Sequence, residues 1–356
     1  MWIYIINFVL IIAYGIFIKN KKLYVSLAAA QTFLILALRA PTLGVDLDNY
    51  SAGFEFISGL DLADLVSRLN LIKTAELVYP FDYESGYAVA NWIVGKMGFD
   101  FHGFLVIHAA FCMFSAGRFI YKYCDDPKVG FALFLSMGFF QYLFGILRQT
   151  LALAILLFAI PLIKKKKPIP YILICLLAFT VHRVSLILVP LYFICQIRLT
   201  KKRYIITLAG EVALLALSPV IAKFVLEPLL HLIGKTRYTL QFNMNMQIII
   251  IALIAVMILI FAPFDKIYEE SDQNMLCWMF LLALAIQIIG MYNDVVARAV
   301  YIPYIAIVAL IPNVLERYRH PGLAWVGKIA LCSLTLLFMI YQIHGSVITP
   351  YVTFLA

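Results

Sequence analysis

Charge is what this chain has least of. Asp, Glu, Lys and Arg make up 13% of its 356 residues, against roughly 25% in soluble globular domains. With 64% hydrophobic residues and a mean hydropathy of +0.96, that shortage excludes a soluble fold. Signatures of soluble chemistry are missing too: there is no GxGxxG, no Walker-type loop and no HExxH. The six histidines (His102, His108, His182, His231, His320, His344) have no ligand-like spacing, so neither a His-based metal site nor another cofactor is expected. Asp46 and Asp48 are the one weak alternative for a metal. Six cysteines lie mostly inside apolar runs without CxxC spacing and read as small core residues, not a disulfide framework. Met1 to Ile18 lacks a basic n-region and a small-residue cleavage site, so no cleavable signal peptide is expected. No connector is large enough for a nucleotide-binding domain, and no clear internal repeat suggests a transporter of inverted halves.

What is present is a series of apolar runs joined by basic connectors. The net charge of +9 would suit nucleic acid, but Lys and Arg cluster in the short connectors, where they act as topology signals. Nucleic acid is therefore not an expected partner. A crossing needs about 20 apolar residues, and the runs predict about twelve transmembrane helices in one integral domain, 1–356, with both termini outside. Trp2 to Ile18 comes in to Lys19, Lys21 and Lys22, and Leu23 to Leu38 returns outward to Arg39. Residues 39–103 form a large first external loop, with nine of the nineteen acidic residues between Asp46 and Asp100. Leu62, Leu65, Val66 and Leu69 in that loop have helical spacing, as do Ala90, Ile93, Val94 and Met97, and both sets predict amphipathic interfacial helices. Residues 223–247 form a second external loop. Val129 to Ile163 and Ile169 to Ile197 are each bracketed by basic residues, which makes each a hairpin with its turn outward. The first turn is expected near Tyr142 to Gln149 and the second at His182 and Arg183. The second run is short for two crossings, so its turn sits below the outer headgroups, a depth tolerated only where protein or a water-filled cavity lines it.

Arginines at the outer ends are the anomaly. Arg39, Arg148, Arg183 and Arg298 sit at outer span ends, and Arg237 lies in the second external loop. Topology predicts fewer there. Snorkelling to headgroups or pairing with Asp46, Asp48, Glu84 and Asp294 accounts for any one of them. Four on one face favour an anionic lipid headgroup such as a pyrophosphate, which arginine binds bidentately. For acid/base chemistry His182 is the leading candidate, because the neighbouring Arg183 favours neutral imidazole, the form that accepts a proton. Asp46 and Glu84 remain open as alternatives.

Several of these stretches resemble one family. Arg39, Gly44, Asp46 and Tyr50 after the second run resemble the first-loop signature of the EpsG/Wzy-type O-antigen or exopolysaccharide polymerases. "DYESGY" with Glu84 resembles the acidic motif later in that loop. "ILRQTLALAI", with Arg148 and Gln149, resembles the family's RQ-x-LA helix start, and "VHRVSLILVP", with His182 and Ser185, its H-x-x-x-L hairpin. Arg298, Tyr301 and Pro303 resemble a late Arg-to-Tyr element. The resemblance implies an all-α polytopic enzyme similar to membrane (GT-C-like) glycosyltransferases, in the bacterial inner membrane with its active face periplasmic. It would join undecaprenyl-pyrophosphate-linked repeat units into a surface polysaccharide. Arg39, Tyr50, Arg148, Gln149, Arg183, Arg298 and Tyr301 would bind the pyrophosphate and sugar, with His182, Asp46 or Glu84 as base. Implied partners are the lipid-linked glycan, membrane lipid and, as a candidate, a chain-length regulator protein. Two rivals stand beside this reading. A flippase or exporter of the same lipid would need charge along the inner half, where the sequence offers mostly Glu211. A membrane O-acyltransferase would need its histidine reachable by a cytoplasmic acyl donor.

Overall fold

The computed structural model describes residues 1–70, 83–228, 240–244, 246–264 and 271–355. Arg237, His231 and Lys235 of the expected second external loop lie outside them. Regular structure among the described residues is helical, with one isolated β-bridge between Arg39 and Thr353 and no strand. Large apolar side chains remain on the surface, among them Phe17 at 80%, Ile169 at 72% and Val212 at 68% exposure. Water does not tolerate that much apolar area, so these faces are lipid-facing. The chain is an all-helical, polytopic membrane protein.

Among the described residues five helices are long and apolar enough to cross a bilayer: Phe101–Tyr123, Leu147–Lys164, Lys201–Leu226, Asp272–Gly290 and Pro321–Ile343. A sixth crossing results if Val296–Tyr304 and Ile307–Glu316, bent by 42°, are taken as one. Other apolar helices run 10–17 residues, below the ~20 of a full crossing. Helix length therefore supports five or six crossings. Hydropathy counts more because it scores apolar runs whether or not the backbone breaks within them.

The chain packs as two compact units. The first comprises Met1–Leu186 and Val326–Ala356, the second Ile187–Trp325. In the first, α1 (Trp2–Phe17) and α2 (Lys21–Ala37) lead to the loop helices α3 (Leu47–Gly59), α4 (Leu62–Arg68) and α5 (Ser85–Lys96). Then come α6 (Phe101–Tyr123), α7 (Pro127–Ser136), α8 (Phe139–Tyr142), α9 (Leu147–Leu156), α10 (Ile160–Lys164) and α11 (Pro168–Val181). Helix α2 packs along α6, α3 along α5, and α11 against both α9 and α5. Side-chain caps start several of these helices: Asn20 accepts from the Leu23 N–H and Asp100 from the Gly103 N–H.

The second unit contains α12 (Val189–Ile194), α13 (Lys201–Ile221), α14 (Met246–Phe261), α15 (Ser271–Gly290), α16 (Asp294–Ala299), α17 (Tyr301–Tyr304) and α18 (Ile307–Glu316). Helix α19 (Pro321–Ile343) begins there and continues in the first unit. Asn274 ties the α12–α13 connector down, accepting from the Leu199 N–H at 2.7 Å and donating to the carbonyls of Cys195 and Ile197.

Helix α5 buries a different face from the one its apolar spacing predicts. Ile93 and Met97 point outward at 47% and 64% exposure, while Tyr87, Ala88, Asn91 and Val94 are buried. Buried Asn91 donates to the Tyr87 carbonyl at 2.7 Å, so a polar residue faces inward here with its amide N–H satisfied by its own helix, while its Oδ1 has no partner among the described residues. The turn in Val129 to Ile163 is an extended break: Gly138 enters with φ 92°, α8 follows, and α9 starts at Leu147.

Candidate functional site

Glu84 precedes α5 and is 6% exposed. Its side chain does not cap that helix; it reaches an arginine and a histidine instead. Oε2 accepts from Arg148 Nη1 at 2.8 Å, and Oε1 lies 3.2 Å from His182 Nδ1. The Arg183 backbone N–H donates to the same Oε1 at 3.4 Å. Burial alone would raise this carboxyl's pKa. The His182 hydrogen bond and the Arg148 charge outweigh it and hold the group at about 2. An ionised carboxylate only accepts, so His182 Nδ1 carries the shared proton, and in the neutral tautomer Nε2 then keeps the lone pair that can accept another.

Each partner is delivered by a local backbone feature. Arg148 is in the first turn of α9, where unsatisfied N–H groups and the helix dipole favour an anion. His182 ends α11 in an extended conformation, φ −155° and ψ 118°, with its N–H closing on the Ala178 carbonyl at 2.8 Å. A 3₁₀ segment, Arg183–Leu188, follows. The break thus falls at His182 itself. Gly86 brings the two sides together, because a Cβ there would collide with Thr180 Oγ1 and lie 2.8 Å from the Thr180 carbonyl oxygen. Only a glycine lets α5 lie this close to α11, two residues on from Glu84 and two short of His182.

Aromatic rings back the cluster. The Tyr50 and Tyr83 rings stack at 5.8 Å and 19°, the Arg148 guanidinium lies 5.4 Å over Tyr83, and Tyr87 meets both rings edge-on. Arg148 Nε donates to Tyr50 OH at 3.4 Å, and Tyr83 OH donates to the Asn49 carbonyl at 2.9 Å. The Arg148 side chain is 28% exposed and that of His182 21%, so the cluster has an open side. Arg183 Nη2 is buried and has no hydrogen-bond partner among the described residues.

Other candidates stand elsewhere. Arg39 is 1% exposed, donates from Nη1 to the Leu143 carbonyl at 2.8 Å and lies 4.9 Å over the Phe144 ring. Burial draws its pKa down to about 10, so it stays charged, yet it makes no ion pair among the described residues. Around it the C-terminal segment is bound in: Ala40 N–H donates to the Val352 carbonyl and Phe354 N–H to that of Leu38. The loop after α2 then abuts the loop before α9. A Cβ on Gly44, whose φ is 154°, would strike the Phe144 carbonyl oxygen, and one on Gly145 would come within 2.7 Å of Val45 backbone atoms. Arg39 and Gly44 therefore hold the platform from which Arg148 projects. Asp46 is exposed, with φ 61°, at the start of α3 and close enough to act electrostatically on Tyr83. Gln149 is buried in α9. Arg298 is exposed on α16 and Tyr301 packs edge-on to Tyr304; both belong to the second unit. Among the described residues no group of three or more His, Cys, Asp or Glu side chains forms a metal cluster.

Tyr83, Gly86 and Tyr87 are the residues that sequence reasoning did not single out. Their signal was inside "DYESGY", where Tyr83 and Tyr87 are four apart across the start of a helix.

The chain is thus a polytopic helical membrane protein with a buried carboxylate shared between an arginine and a histidine. The profile of the EpsG family matches residues 22–353; this chain belongs to the EpsG family, whose members are polysaccharide-polymerase-type membrane proteins. No curated protein and no solved structure matches it.

Proposed function

We propose that the protein is a glycosyltransferase that joins undecaprenyl-pyrophosphate-linked oligosaccharide repeats on the outer face of the cytoplasmic membrane. The observation that carries the reading is Glu84 bridging Arg148 and His182, with the Arg183 backbone N–H on the same carboxylate. In this reading the hydroxyl of one lipid-linked unit attacks the anomeric carbon of another. The new C–O bond forms as the bond to the lipid pyrophosphate breaks, and the pyrophosphate leaves with the electron pair. His182 Nε2 takes the hydroxyl proton, and Glu84 holds the ring in the required tautomer, as the acid does in other base–orienter pairs. Arg148 and Arg183 meet the charge growing on the leaving group. Glu84 itself, held at a pKa of about 2, is too weak a base for the task. Asp46 and Tyr50 are assigned to the acceptor sugar, and Arg298 and Tyr301 to the glycan. Arg39 is assigned to the scaffold.

The accompanying layout is a twelve-crossing, GT-C-like arrangement in which broken helices supply pairs of short crossings. It places the cluster at a depth shielded from bulk water. The purified protein in vesicles, supplied with lipid-linked repeat units alone, should extend them into longer chains on the lipid anchor. Units that stay single under those conditions would sink the proposal.

A further inference from the structure

A second site lies away from the Glu84 cluster, between α2 and α6. The two helices leave a groove of about 460 Å³, within the range of about 300–1,000 Å³ typical of ligand pockets. Its depth comes from small residues: a Cβ on Gly117 would stand only 3.3 Å from that of Ala29. Ala30 and Phe114 line it from its exposed side. Charge is confined to one end, where Lys22 opens α2 and Arg118 and Tyr121 stand in the last turns of α6. Lys21 Nζ lies 5.7 Å over the Tyr121 ring at that end. The Arg118 guanidinium rests 4.9 Å over the Phe158 ring and makes no hydrogen bond or ion pair among the described residues. No acidic side chain lines the groove.

We infer that this groove binds one anionic glycerophospholipid, its phosphate between Lys22 and Arg118 and one acyl chain along the apolar wall. A soluble anion would leave the apolar wall bare, and a zwitterionic lipid brings no net charge to the two cations. Basic pockets between membrane helices select anionic headgroups in this way. The inference does not depend on the polymerase reading, since its readout is lipid retention.

The test is native mass spectrometry of the full chain in detergent, titrated separately with phosphatidylglycerol, phosphatidylcholine and undecaprenyl phosphate. One phosphatidylglycerol should be retained in preference to the other two. The Lys22→Gln/Arg118→Gln double variant should weaken its retention by about fivefold per cation, while Arg118→Lys keeps most of it. Ala30→Trp, which fills the groove from an exposed position, should abolish retention without lowering the thermal midpoint. Equal retention of phosphatidylcholine would overturn the inference, as would full retention by the double variant. Preferential retention of undecaprenyl phosphate would also overturn it, making the groove a carrier-lipid site instead.

Discussion

Glu84 has to satisfy an arginine and a histidine from inside the protein, and that determines what each neighbour can do. Replacing it with Gln leaves Arg148 without its counter-charge and lets His182 take either tautomer. Glu84→Gln should therefore cut polymerisation on the order of 10²–10⁴-fold, the scale on which mis-set base–orienter pairs lose rate. Initial rates on lipid-linked repeats would check it. Arg148→Ala should lose about 10²–10³-fold, and Arg148→Lys should fall well below wild type, because an ammonium cannot reproduce the planar contact with Glu84 and the Tyr83 ring. A wild-type rate from Arg148→Ala would reduce Arg148 to a structural partner of Glu84. The same ion pair makes a pH prediction. The folded pKa of Glu84, about 2, lies below the ordinary 4.5, so its stabilisation is present above about 4.5 and is lost as pH falls towards 2. Thermal midpoints of wild type and Glu84→Gln in detergent should differ at neutral pH and converge over that interval.

At the scale of elements, the site depends on close approaches that a methyl group would prevent. Gly86→Ala should force α5 away from α11 and cost about 1–3 kcal/mol. Activity should fall further than stability, because the Glu84–His182 contact is set at that crossing. A thermal midpoint and a rate measured on one preparation would separate the two effects. Arg39→Ala should act through the scaffold. The Leu143 carbonyl would lose its donor, a loss of about 1–3 kcal/mol for a buried acceptor, and thermal unfolding should register it even where residual activity survives. The helical spacings in residues 39–103 announced helices correctly for α4 and α5. The inward face of α5 was not legible, because it buries polar Asn91, whose amide bonds to its own helix, and hydropathy does not score such a bond. The break at His182 was legible, because an apolar run too short for two crossings, flanked by charge, has to turn somewhere.

For the whole molecule, the question is which side each loop faces. The described cysteines are buried except Cys332, which is half-buried, so an introduced exposed cysteine would be read against low background. With the proposed topology, Glu55→Cys should react with a membrane-impermeant maleimide in intact spheroplasts, and Lys165→Cys only after permeabilisation. The reverse pattern would move the cluster to the cytoplasmic face and favour acyl transfer over polymerisation. By itself the sequence determined the class of the molecule. A chain this poor in charge and rich in apolar runs cannot fold in water, and the ordered motifs around Arg39, Glu84, Arg148 and His182 identified the family. Only the tertiary structure decided which of those residues meet. Glu84, Arg148 and His182 are far apart along the chain and converge through helix crossings set by glycine contacts. Arg39, equally conspicuous in the sequence, is drawn instead onto the Leu143 carbonyl and the Phe144 ring. Residue type advertises what a side chain can bind; packing at long range in sequence selects what it does bind.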